Sequence, residues 1–216
     1  MTDSVTTTPA MVNPELAEIE VEELSRSAFL AKGVLAAGAV YGTAMIGPYL
    51  RQAFAQSGGG DVDILNFALT LEYLESAFYK QALTDLSPTG DLLSLVTLIS
   101  GDEDQHVAGL TSAIKGLGAK PVAAPGVDFG SAFANETSFL KLAQTFEDTG
   151  VSAYNGAGPS ITSKDLLGTA GAIVQIEARH ASAIRLMNKE TPAPDAFDKT
   201  LDMQQVLTAV KPFVTS

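Results

Sequence analysis

Apolar residues recur at helical spacing in four long stretches, each bounded by residues that start or stop helices. The first runs from Asp61 to Leu83, with Asp61 or Asp63 at its N-cap. The second runs from about Asp91 to Leu117 and stops at Gly116 and Gly118, with Pro121 beyond. A third covers about Asn135 to Tyr154, ended by Gly156 and Pro159, and a fourth runs from Ser163 to about Asn188, closed by Thr191-Pro192. Four such helices predict an all-α bundle over residues 61–190. The connection from Ala119 to Ala134 is longer than the other two; sixteen residues can span roughly 50 Å, enough to return along a helix before the third begins. Residues 191–216 form a tail that packs outside, carrying a short helix near Asp202–Val210 with Asp202 and Gln205 placed as a capping box.

The pattern ahead of Asp61 is different. Residues 1–24 are polar and acidic and read as a flexible tail. Residues 25–56 contain an uncharged, Gly- and Ala-rich run from Gly33 to Leu50, flanked by Lys32 and Arg51 and preceding a Ser57-Gly-Gly-Gly60 linker. The stretch Ser25-Arg-Ser-Ala-Phe-Leu-Ala-Lys32 resembles a twin-arginine export signal, with Ser27 where the second Arg would stand. Three readings of this apolar helix stay open: a cleaved signal, a retained membrane anchor acting through residues 28–50, or a packing helix. The first two place the protein at a membrane or outside the cytoplasm.

Composition narrows the chemistry. The chain is 46% hydrophobic and 18% charged, so it can bury a full core. A net charge of −12 with only 13 Lys and Arg argues against nucleic acid. The absence of Cys rules out disulfides, zinc thiolates and iron–sulfur clusters on this chain.

An internal repeat carries the candidate site. Glu72 is followed by Tyr79, and 75 residues later Glu147 is followed by Tyr154 at the same spacing of seven. Glu103-Asp-Gln-His106 is echoed 74 residues later by Glu177-Ala-Arg-His180. A single Glu-x-x-His is most often a surface ion pair, but this chain has only two His and both obey the pattern. Residues at i and i+3 share a helix face, so each pair aims a carboxylate and an imidazole at one point. With Glu72 and Glu147 from the other two helices, four carboxylates balance two divalent ions, and an oxygen-rich set with few imidazoles suits iron or manganese. Apolar neighbours around Glu72 require a partner for any buried carboxylate, and Lys and Arg are sparse there.

Tyr79 and Tyr154 serve either to hydrogen-bond a ligand carboxylate or simply to pack the core. Glu75, one turn from Glu72, is a candidate extra ligand or proton carrier. The repeat sets Gly150 at the matching position, so that role would be asymmetric, and a solvated Glu75 is the simpler reading.

The order Glu, Glu-x-x-His, Glu, Glu-x-x-His resembles the ferritin-like superfamily of di-metal carboxylate proteins, which includes bacterioferritins, rubrerythrins and manganese catalases. Asp63-Ile-Leu-Asn-Phe-Ala-Leu-Thr-Leu-Glu-Tyr-Leu-Glu75 and Asp102-Glu-Asp-Gln-His106 are similar to the bacterial ferritin-like domain group that includes desiccation-related proteins. The resemblance implies a ferritin-like topology and two metals cycling between +2 and +3 with dioxygen or hydrogen peroxide. It also implies Glu103 and Glu177 as bridges, Glu72 and Glu147 as terminal ligands, and one His on each metal. It leaves the reaction open between a ferroxidase, peroxidase or catalase, a non-catalytic accessory subunit docked on a membrane complex, and a homo-oligomeric storage cage.

Overall fold

The computed structural model describes residues 60–215. The acidic tail and the apolar run read above as signal or anchor lie outside the described residues. Among the described residues no helix is long and apolar enough to cross a membrane.

Four long helices make the bundle: α1 (Asp61–Gln81), α2 (Gly90–Gly116), α3 (Glu136–Ala157) and α4 (Lys164–Met187). A short π-helical turn, Ala82–Leu86, extends α1, and its end is turned by Ser87 in the left-handed region. The predicted cores of these helices and the long crossover between α2 and α3 are all present. The most extensive packing is α1 on α2 and α3 on α4, each pair joined by a short turn.

The helix ends show how local chemistry sets the frame. Asn135 caps α3 through Ser138, and Ser163 caps α4 through the Leu166 amide. The expectation for α1 is corrected, because its N-cap is Gly60 with no side-chain bond. Asp61 instead accepts from the Thr162 and Ser163 amides, where α4 begins, and so satisfies a neighbouring helix rather than its own. α3 also runs past Gly156 to Ala157, since a glycine weakens a helix without ending it when packing continues.

The C-terminal region does more than cover the outside. Residues 189–200 are exposed, as expected, but α5 (Met203–Val210) buries Val206, Leu207 and Val210 in the main core. The Asp202–Gln205 capping box is formed. Beyond it, β2 (Val214–Thr215) pairs antiparallel with β1 (Gly126–Val127), tying the chain end to the crossover. Asn66 fixes the crossover from the other side by accepting the Val122 amide at 2.9 Å.

Two apolar clusters build the core. One gathers Phe78, Phe139, Phe146, Ile184 and α5; the other gathers Leu65, Leu69, Leu110, Ile114 and Ile173. Along every long helix the candidate ligands fall between residues of the first cluster and residues of the second. The charged layer is therefore sealed above and below by hydrocarbon.

Candidate metal centre

Each helix delivers its acidic residue to the same level of the bundle. Glu72, Glu103, Glu147 and Glu177 are fully buried at 0% exposure. His180 is buried, and His106 keeps 10% of its side chain exposed. The six residues resolve into two overlapping groups whose potential ligand atoms all lie within 4.8 Å of one another. Glu72, Glu103, His106 and Glu177 form the first, and Glu103, Glu147, Glu177 and His180 the second. Glu103 and Glu177 belong to both.

His106 Nδ1 lies 3.1 Å from Glu72, 3.4 Å from Glu103 and 3.0 Å from Glu177. One ring nitrogen carries at most one hydrogen, so it cannot satisfy three carboxylates. His180 Nδ1 lies 3.1 Å from Glu103 and 3.4 Å from Glu147 without a hydrogen bond. Both oxygens of Glu103, both of Glu177 and one of Glu147 are likewise buried without a hydrogen-bond partner. Buried orphan carboxylate oxygens are costly, and converging ones more so, unless positive charge stands among them. Residues of this type, number and convergence fit divalent cations.

The surrounding groups orient the cage. The two tyrosines cross the repeat: the Tyr79 hydroxyl donates to Glu147, and Tyr154 donates to Glu72. Both rings are also packed in the core. Asp102 accepts from His180 Nε2 at 3.1 Å, which fixes the ring with Nδ1 facing Glu103 and Glu147, where a cation could replace a proton. Nothing in the local sequence marks Asp102 for this role, since its partner lies 78 residues on. Ile176 stands at the matching position of the repeat, so the His106 half has no carboxylate there.

Glu75 corrects the expectation of a solvated residue, for it is 3% exposed. A Cβ on Gly150 would lie 3.3 Å from its Oε1 and 3.2 Å from Glu177 Oε2. The missing side chain of Gly150 is the space that lets a fifth carboxylate enter the layer.

Electrostatics follow from burial and crowding. Burial, opposed by His106 and reinforced by Glu103, pushes Glu72 up to about 8. Burial and neighbouring carboxylates also raise Glu75 and Glu177, and burial raises Glu147. Burial pushes Glu103 upward too, but the imidazoles of His106 and His180 outweigh it and hold Glu103 down at about 2. Burial alone would lower the imidazoles; the adjacent carboxylates instead raise His106 to about 12 and His180 to about 11. The layer attracts positive charge strongly enough to hold protons on both rings.

Fold and site together define a helical bundle with a buried carboxylate–histidine cluster suited to divalent metal. The family model for the ferritin-like domain matches residues 60–190, and the chain belongs to that family. No curated protein sequence matches the chain.

Proposed function

We propose that this chain is a two-metal redox protein that holds iron or manganese and reacts with dioxygen or hydrogen peroxide. The observation that carries the reading is the overlap of two ligand groups through Glu103 and Glu177. Glu72 and His106 would complete one position, and Glu147 and His180 the other. Metal ions bound there supply one-electron redox chemistry between the +2 and +3 states.

The chain's own residues do the rest. Tyr79 and Tyr154 fix the outer carboxylates, so less reorganisation is needed when charge at the centre changes. Asp102 holds the His180 proton on Nε2. Glu75, raised well above the usual carboxylate range by burial and by Glu177, holds a proton beside the cage. The apolar clusters on either side exclude bulk water.

Metal analysis of the native protein should give two ions per chain. His106→Ala combined with His180→Ala should abolish stoichiometric binding, because each position loses its nitrogen donor. Anaerobically loaded with ferrous ion, the native protein should consume oxidant in proportion to bound metal. Unchanged metal content in the double variant, or consumption no faster than free ion, overturns the reading. Residues 28–50 carry the companion proposal of membrane anchoring or export: mass spectrometry of the native N-terminus separates a cleaved from a retained segment, and an intact chain found free in the cytoplasm overturns both.

A further inference from the structure

A cavity of about 20 Å³ lies behind Tyr154, its one polar-tipped lining side chain, walled by Leu65, Ala68, Leu71, Ala153 and Ile161 among other apolar residues. None of Glu72, Glu103, His106 and Glu177 lines the cavity; Tyr154, whose hydroxyl donates to Glu72, stands between the two. Toward the α3–α4 turn its wall is made of half-buried residues, Ile64, Ala157 and Ile161.

The repeat shows that this hollow is not forced by the fold. A shift of 75 residues carries Ile64 onto Phe139, Leu71 onto Phe146 and Ala153 onto Phe78. In that other half the three rings close the space, with Phe78 centred 5.2 Å from Phe139 and 5.0 Å from Phe146. One end of the layer is plugged by aromatic rings, and the matching end is left open by smaller side chains. Protein interiors are close-packed, and an unfilled void forfeits dispersion contacts that this chain makes elsewhere.

The volume is enough for one or two water-sized molecules, roughly, since a single water needs about 10–15 Å³. The wall offers water almost no hydrogen bonds, so water is a poor occupant. A small apolar molecule loses nothing there and gains contact on every side. Hydrogen peroxide would leave its hydroxyl groups unpaired.

We propose that this cavity is a docking site for dioxygen, admitting it to the metal centre from the Tyr154 side in preference to hydrogen peroxide. The proposal rests on the redox reading above and narrows its oxidant.

Xenon, an apolar probe of similar bulk, tests the site without any reaction. Crystals of the full-length metal-loaded protein under xenon pressure should show the gas against Ala68 and Ala153. Its absence from that cavity overturns the proposal. Ala153→Phe, which copies the other half, and the gentler Ala153→Val should each exclude xenon while keeping the metal stoichiometry. With ferrous ion loaded, both variants should consume dioxygen several-fold more slowly and peroxide at the native rate. Equal slowing with both oxidants, or no slowing despite loss of xenon, also overturns it. If the native protein consumes neither oxidant, the redox reading falls and dioxygen falls with it, while bound xenon still marks an apolar gas site.

Discussion

Gly150 decides more about the site than its lack of a side chain suggests. Alanine there would set a Cβ against Glu177 Oε2 and Glu75 Oε1, at 3.2 and 3.3 Å, tighter than ordinary contact. Both carboxylates would have to shift within a packed layer. The helix itself would benefit, since Gly→Ala in a helix interior is worth up to about 1 kcal/mol. Gly150→Ala should therefore leave the metal-free fold intact and weaken metal binding by about tenfold or more, in the range seen when ligand-orienting groups are lost. Competition titration against a chelator measures this, and unchanged affinity would show that the contact is slack. Of the six clustered residues, Glu103, His106, Glu177 and His180 were legible because i, i+3 pairs share a helix face, and Glu72 and Glu147 because they repeat 75 residues apart. Glu75 was not, because its burial depends on an absence 75 residues away on another helix. Asp102 was missed for a related reason: its partner His180 lies 78 residues on, and only tertiary packing joins them.

The helices themselves were readable where the signal was repeated over many turns. Their cores match the apolar spacing, whereas the ends moved wherever a tertiary partner competed with a local cap, as Asp61 does at Thr162 and Ser163. The two-residue strands at Gly126–Val127 and Val214–Thr215 carry no period and could not be seen. The role of α5 was understated because its three buried positions gain meaning only beside the phenylalanine cluster. Gly156 tests how firmly this element is held. A Cβ there would fall 2.0 Å from the Leu201 carbonyl oxygen, a backbone atom that cannot rotate away. Leu201 is itself anchored by its amide to the Ser152 carbonyl at 3.0 Å. Gly156→Ala should push the 201–215 segment off the bundle and cost about 1–3 kcal/mol, as overpacking does. Urea unfolding followed by protease sensitivity near residue 200 checks it; unaltered stability would mean that the segment contributes little.

For the molecule as a whole, the carboxylate layer couples stability to protons and metal. In the metal-free protein Glu72 keeps its proton up to about 8 against an ordinary value of 4.5. It therefore adds stability that is complete below pH 4.5 and lost as pH rises to 8. His106 and His180, raised from 6.5 to about 12 and 11, add stability that is complete below 6.5 and lost progressively above it. Glu103, held at about 2, acts oppositely and is lost only in strong acid. The metal-free melting temperature should fall steadily from pH 5 to pH 9. The metal-loaded protein should melt higher at neutral pH, and the gap should narrow as pH falls, since protons then do the work of cations. Calorimetry of both forms across that range decides it; a metal-free form that gains stability toward pH 9 would contradict a buried cage. Deleting residues 1–59 should leave a folded, metal-binding domain, because the helices and all six candidate ligands lie beyond Gly60. Loss of binding in that truncated chain would mean that the N-terminal region completes the site.

The crossing of the two halves also bears on ancestry. The Glu72 group borrows Glu177, the His180 group borrows Glu103, and each tyrosine reaches over to the opposite carboxylate. A lone hairpin with the pattern of α1 and α2 would offer two carboxylates, one imidazole and a tyrosine with nothing to hold. Two copies of it, meeting face to face, would give each tyrosine a carboxylate to hold and gather four carboxylates and two imidazoles at one level. The repeat of Glu72 and Tyr79 in Glu147 and Tyr154 is the trace that doubling of such a hairpin would leave. On that account the places where the halves differ, Ala153 against Phe78, Gly150 against Glu75 and Ile176 against Asp102, would be marks of divergence after the two copies were joined.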